Sequence, residues 1–303
     1  MMDSKIIGYR GIANQKKLII SGHAFDRHKV RETLANHGRR RNLRQTIQRF
    51  HAKPLKWTSI DIRIEDMECS VRTNKYGYFT CEMEHSLRAP GWYPYELFWK
   101  RNNRTFDGEF YLSDEHETGV ISDIDDTLLV SHSTRLVRKL VLLLFRNAHT
   151  RKPIPFLKGW YGHLRNLHEM ESPDDFFYVS NSEWNLYDFL IDFFEINELP
   201  KGVFFLRGLK KGLRDLVASG KPNYNHKQSA IEFLLKFYPQ KNYILVGDNG
   251  QKDMEIYADV VSKYGQRIKG VLIRELSYIR RPKRLNFYKQ QIEQNHVPFI
   301  VFS

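Results

Sequence analysis

Three carboxylates, Asp123, Asp125 and Asp126, occupy four consecutive positions in GVISDIDDT (119–127), directly after a short apolar run. Charges of one sign crowded at the edge of a core repel, so something positive must neutralise them. If the apolar run is a buried strand and the chain turns after Ile124, Asp123 and Asp125 point into one cleft. Together they would bind a hard divalent cation such as Mg²⁺, which takes oxygen ligands. Asp248, after the run YILVG (243–247), can add a third carboxylate from a neighbouring strand, with Gly247 and Gly250 giving a tight backbone. A carboxylate is also a nucleophile toward phosphorus, and a second carboxyl two residues on can protonate the leaving alkoxide and later activate water. A transferring phosphoryl group needs donors and positive charge around its oxygens. Ser180 and Asn181, after FFYVS, offer a hydroxyl and backbone N–H groups. Lys227, opening HKQSAIEFLL, offers a cation.

The elements that must position these residues differ between the two halves of the chain. From about residue 116 on, short apolar runs at 119–124, 176–180, 202–206, 243–247 and 268–273 alternate with helix-like stretches. Those stretches are 133–147, 158–170, 183–196, 226–237 and 251–263. Strands of this kind read as buried on both faces, which predicts a doubly wound parallel sheet with helices on both sides. Ligands in such sheets sit at the carboxyl ends of the strands, where the polar clusters fall. Residues 1–115 read instead as a β-sandwich. Runs at 18–25, 57–64, 67–73, 78–84 and 95–99 are rich in β-branched and aromatic residues, and NKYG (74–77) marks a turn between two strands, as in a hairpin.

DIDDT (123–127), SNS (180–182), HK (226–227) and GDNGQKD (247–253) resemble, in order, the four motifs of the haloacid dehalogenase superfamily. SNSEW and GDNGQKDMEIY are similar to one branch in particular, the phosphatidate phosphatases of the actin-patch-protein type. GYRG (8–11), GYF (77–79) and GW (91–92) resemble the β domain that precedes the catalytic domain in that branch. The resemblance implies Asp123 as nucleophile and metal ligand, and Asp125 as acid/base with its carbonyl on Mg²⁺. It implies that Thr127 buttresses the loop, that Ser180 holds a phosphoryl oxygen, and that Lys227 pairs with the nucleophile and phosphate. Asp248 would be a further metal ligand, and Asp253 would hold metal-bound waters or stabilise Lys227. Asn249 departs from the pattern, where a small hydroxyl residue is expected.

Each of these residues has a plainer reading. An Asp after a strand is often a turn or helix-cap residue, and Asp126 is read that way. GDNGQKD lacks the Asp/Asn spacing of a calcium loop. His132, His226 and the other histidines show no ligand spacing and are read as surface or supporting groups.

Net charge is +13 with a pI near 9.6, which favours acidic partners: phosphate esters, anionic lipid surfaces or nucleic acid. Between 27 and 56 there are ten Lys/Arg and one acidic residue, Glu32. There Leu43, Ile47 and Phe50 fall at helical spacing, giving a basic amphipathic helix at 38–51. It reads first as a helix packed on the sandwich and second as one lying on an anionic bilayer. The stretch 135–156 follows the first motif, where the resemblance to the superfamily implies a cap; its apolar residues would shelter acyl chains or join the core. RRPKR (280–284) adds charge without a defined role.

The longest apolar run, 140–145, is far short of the roughly 20 residues a spanning helix needs. The first residues do not read as a signal peptide. Two cysteines, Cys69 and Cys81, do not make a disulfide framework; a single bridge is possible, and thiols in a reduced compartment are expected.

The resulting expectation is a cytoplasmic, Mg²⁺-dependent phosphomonoester hydrolase working through an aspartyl-phosphate, peripheral on anionic membranes, with phosphatidate as substrate. The alternatives are a phosphatase of a soluble or nucleic-acid phosphate, and a non-catalytic lipid-binding or scaffolding protein. The presence of both Asp123 and Asp125 speaks against the last. Ion-pump chemistry would lack the second Asp.

Overall fold

The computed structural model describes residues 3–27, 53–124, 175–196, 198–207, 226–250, 252–276 and 282–302. The expected helices at 38–51, 133–147 and 158–170, and the cap at 135–156, lie outside them. Contacts divide the chain into two units. One comprises the described residues up to Ser113 with Asn185–Asp188, and the other the remaining described residues from Asp114 onward.

The first unit is a β domain. Its strands are β1 (Asp3–Gly8), β2 (Gly11–Ala13), β3 (Lys17–Arg27), β4 (Lys53–Pro54), β5 (Ser59–Ile64), β6 (Met67–Arg72), β7 (Tyr78–Glu84), β8 (Gly91–Trp99) and β9 (Arg104–Leu112). They form one hydrogen-bonded network, β1-β3-β2-β9-β8-β5-β6, with β4 and β7 added to β3. The sequence suggested two separate sheets, but β3 is long enough to pair with four partners, so the ladder is continuous. Alternation in β5 sends Ile60, Ile62 and Ile64 inward to meet Leu97, Trp99, Phe110, Leu18 and Ile20 in one core.

The turn at 74–77 is present but closes no hairpin. Asn74 Oδ1 accepts the N–H groups of Tyr76 (2.8 Å) and Tyr78 (3.1 Å), while β6 pairs with β5 and β7 with β3. Gly77 is needed there: its φ is +74°, and a Cβ would stand 2.4 Å from the carbonyl oxygen of Ala24. Cys69 on β6 and Cys81 on β7 are joined in a disulfide, the single bridge that the sequence left open, although a reduced compartment was expected. The bridge ties two strands that each pair on one side only.

The second unit holds a six-stranded sheet, with β10 (Thr118–Asp123), β11 (Phe176–Glu183), β12 (Gly202–Arg207), β13 (Asn242–Asp248), β14 (Ile268–Arg274) and β15 (Phe299–Phe302). The order is β12-β11-β10-β13-β14-β15, and every pair is parallel. This is the doubly wound order, with its switch point between β10 and β13. β10, β12 and β13 are buried almost end to end, as strands covered on both faces must be.

The described helices of this sheet are α1 (Tyr187–Ile196), α2 (His226–Phe237), α3 (Asp253–Tyr264) and α4 (Pro282–Glu293). No described helix is long and apolar enough to cross a membrane. Aromatic rings lock the layers: Phe194 meets Tyr178 edge-on at 4.6 Å and Phe204 at 4.9 Å between centroids.

The amino ends of the strands are fixed by a buried cation. Lys241 Nζ pairs with the Asp175 carboxylate and donates to the carbonyl oxygens of Asp114 (2.6 Å) and Glu117 (3.0 Å). All three donors of the ammonium are used, so its burial is compensated.

Candidate active site

The opposite edge of the sheet carries the candidate site residues. Asp123 closes β10 and Asp248 closes β13, the two strands that flank the switch point. Register places Ser122 level with Val246 and Asp123 level with Val179. Asp248 and Ser180 therefore each lie one residue beyond Asp123, on the strands to either side. Lys227 reaches the same point from the first turn of α2, and Asp253 from the first residue of α3.

All four of these side chains outside Ser180 converge. Lys227 Nζ is 2.9 Å from Asp123 Oδ1 and also bonds Asp253 Oδ1. Asp123, Asp248 and Asp253 each offer an oxygen within 4.8 Å of the others. Every one of these residues is buried, with at most 2% of its surface exposed. Asp253 is engaged on both oxygens, since its Oδ2 accepts the backbone N–H of Asp248 at 3.2 Å. Asp253 thus contacts Lys227 and also stands within reach of the other two carboxylates, so both roles the sequence reading left open keep a geometric basis.

Electrostatics follow from this count. Burial disfavours the ammonium of Lys227, but the charges of Asp123 and Asp253 and their hydrogen bonds outweigh it, holding the pKa well above the ordinary lysine value. Burial pushes the Tyr257 phenol far up, and Asp253, Asp123 and Asp248 push it further. Tyr257 stays neutral and donates to the carbonyl of Val246 at 2.7 Å. Among the described residues, three carboxylates face one ammonium at this point. An all-oxygen donor set with that excess of negative charge suits a hard divalent cation such as Mg²⁺.

Contacts at Gly247, Asn249 and Gly250 hold the carboxylates close. Gly247 lets α3 approach: a Cβ there would stand 2.6 Å from Asp253 Oδ2 and 2.9 Å from Tyr257 Cε2. Asn249 fastens the loop after β13, giving its N–H to the carbonyl of Arg274 (3.1 Å) and accepting the N–H of Leu276 at Oδ1 (3.0 Å). The Asn at the position where a hydroxyl was expected thus ties the loop to the end of β14. Gly250 N–H caps Asp248 Oδ1 at 2.6 Å.

Ser180 is buried on β11 and Asn181 is exposed. β11 does not stop at Ser180 but runs irregularly to Glu183, its register against β12 shifting between those residues. Asp125, Asp126 and Thr127 lie outside the described residues. His226 bonds the carbonyl of Phe205 at 3.1 Å, a supporting contact. The sequence reading did not single out Tyr257, although its spacing of four from Asp253 puts both on one helix face. It also passed over Lys241 and Asp175, which carry no motif.

Comparison with known proteins assigns the region that holds these residues to a family. The family model described as "Phosphatidate phosphatase APP1, catalytic domain" matches residues 118–275, just over half of the chain. An uncharacterized protein of Schizosaccharomyces pombe is 28% identical over 177 residues, which cover 57% of this chain and 27% of that protein. Phosphatidate phosphatase APP1 of Saccharomyces cerevisiae is 31% identical over 156 residues, covering 52% of this chain and 25% of that protein. The matched region thus spans about a quarter of the length of these relatives. Among solved structures, a carbohydrate acetylesterase from Xanthomonas citri covers 96% of this chain and 66% of its own at 9% identity, with a TM-score of 0.33, and carries no argument about fold. With Asp123, Lys227, Asp248 and Asp253 gathered at one sheet edge and the family model spanning β10 to the end of β14, the chain belongs to the family of the APP1 phosphatidate phosphatase catalytic domain.

Proposed function

We propose that the chain hydrolyses phosphatidate to diacylglycerol and phosphate, using haloacid-dehalogenase-type chemistry on its parallel sheet. The observation that carries the reading is the buried Lys227 bridging Asp123 and Asp253, with Asp248 alongside. An Asp123 oxygen attacks phosphorus, and the ester bond to glycerol breaks. Asp125 protonates the departing alkoxide, then takes a proton from water as that water attacks phosphorus and frees the Asp123 carboxylate. Lys227 orients Asp123 and counters the charge that builds on the phosphoryl oxygens. Ser180 donates to one of those oxygens. Asp123 and Asp248, with the Asp125 carbonyl, would hold Mg²⁺, which when bound supplies further positive charge at the phosphoryl group.

The lipid substrate is supported by the family name and by a net charge of +13, which suits work at an anionic surface. The chain would act as a peripheral protein at such a membrane. The cytoplasmic setting expected from the sequence is reducing and at odds with the Cys69–Cys81 bridge, and thiol labelling of the native protein decides between them.

The test is phosphate release from a panel of phosphomonoesters, dispersed phosphatidate included, with Mg²⁺ and with chelator. Release from phosphatidate that needs Mg²⁺ and is abolished in Asp123→Asn, with the fold intact by circular dichroism, is the expected result. Release only from soluble or nucleic-acid phosphates would reassign the substrate. No release from any ester would favour a non-catalytic protein.

A further inference from the structure

Two aromatic side chains of the β domain are exposed to solvent. Trp57 is 63% exposed and Tyr76 41% exposed, while most other large apolar residues of this unit are covered. They sit on two loops at one end of the sheet, between β4 and β5 and between β6 and β7. The loops are fastened together. Trp57 N–H donates to the carbonyl of Thr73 (3.1 Å), and Thr73 N–H donates to that of Thr58 (2.9 Å). The Thr73 hydroxyl donates to the carbonyl of Leu55 (2.7 Å) and accepts Thr58 N–H (2.9 Å). Pro54 lies 3.1 Å from where a Cβ on Gly77 would stand, so the loops also pack. Trp57 has φ +56°, a conformation unfavourable for a bulky side chain. The fold therefore bears both strain and an exposed indole at this position, and neither serves the core.

The surroundings are basic. Lys53, Lys56, Arg72 and Lys75 are all exposed on or beside the two loops. Lys75 Nζ lies 5.2 Å from the centroid of the Tyr76 ring. Lys53, Lys56 and Lys75 form no ion pair with any described residue. The nearest carboxylate by register, Asp26 opposite Lys53, is hydrogen-bonded by the Ser4 hydroxyl.

We propose that this tip is a membrane-docking surface, in which Trp57 and Tyr76 enter the headgroup layer of an anionic bilayer while Lys53, Lys56, Arg72 and Lys75 contact lipid phosphates. Trp and Tyr favour this layer because one end of the ring system is apolar and the other donates a hydrogen bond. Lysines at such a surface each contribute about fivefold to partitioning. Braced loops keep the entropy cost of insertion low. The choice of a bilayer as occupant rests on the phosphatidate reading, since aromatic rings among lysines also suit single-stranded nucleic acid.

The experiment uses the full chain. Co-sedimentation is measured with phosphatidylcholine vesicles containing phosphatidate or phosphatidylserine, with pure phosphatidylcholine vesicles, and with a thymidine oligomer. Binding to both anionic vesicles, absent on neutral ones, is expected. It should fall at least about tenfold in Trp57→Ser/Tyr76→Ser and about as much in Lys56→Glu/Lys75→Glu. Melting temperatures should remain those of the wild type, because these side chains are exposed.

Hydrolysis of a soluble short-chain phosphatidate, unchanged in these variants, separates docking from catalysis. If the wild type hydrolyses no phosphatidate but the vesicle pattern holds, the substrate reading fails and the docking surface stands. Unchanged vesicle binding in both variants would overturn the proposal, as would oligomer binding that the variants lose while vesicle binding persists.

Discussion

Lys227 and Lys241 are both buried lysines paired with buried aspartates, yet their surroundings give them different work. Lys241 spends its donors on two carbonyls and one carboxylate, an arrangement that is already satisfied. Lys227 faces three carboxylates in one pocket, which leaves negative charge to be met from outside. Motif spacing made Lys227 legible in the sequence. Lys241 was not legible, because a lone lysine before a strand has no pattern, and only the fold brings Asp114, Glu117 and Asp175 to it.

His23 shows the same limit. It sits at 2% exposure with Nδ1 2.7 Å from the Tyr9 hydroxyl, and burial lowers its pKa from 6.5 to about 3. Between those values the unfolded chain binds a proton that the folded chain refuses, so stability falls as pH falls through this window. The slope contributed by His23 reaches about 1.4 kcal/mol per pH unit. Urea denaturation from pH 6.5 to 4 should show it, and His23→Gln should flatten it; equal slopes would show that His23 is not the group responsible.

Elements bring these residues to a working distance, and two predictions belong at this level. Adding a Cβ at Gly247 forces the first turn of α3 away from β13, and Asp253 with it, because the contacts at 2.6 and 2.9 Å involve a short side chain and a packed ring. Gly247→Ala should therefore lower kcat by about 100-fold while melting cooperatively. Wild-type kcat in that variant would mean that the Asp253–Lys227 contact is dispensable. At the other end of the sheet, Lys241→Met strands the Asp175 carboxylate in the core and should cost about 3–5 kcal/mol in denaturant unfolding.

Elements with strong patterns could be read directly. α2 runs over 226–237 as expected, and the five apolar runs after residue 116 are all strands. β1, β2, β4, β9, β15 and the helix α4 were not read. β9 carries polar residues along most of its length, and β15 is a short strand pairing with β14 on one side only. Pairing partners were harder still. A turn such as 74–77 marks where the chain reverses but not which neighbour takes up its hydrogen bonds, and here β3 outcompetes β6 for β7.

At the scale of the whole molecule, one unit holds the candidate active site and the other is a β domain whose exposed basic tip is proposed to meet lipid. The net charge of +13 pointed to anionic partners but could not say where on the surface they would meet the chain. The candidate helix at 38–51 lies outside the described residues, and Trp57 reads in the sequence as one more aromatic in a strand. Its exposure and left-handed backbone emerge only from the way Thr73 holds the loop. The central claim remains that Asp123 is the nucleophile of a phosphatidate hydrolase. The most direct test is acid quenching during turnover of phosphatidate, followed by peptide mass spectrometry. The account predicts one phosphoryl group on Asp123, absent in Asp123→Asn along with phosphate release. Steady turnover with Asp123 unmodified, or turnover surviving in Asp123→Asn, would contradict it.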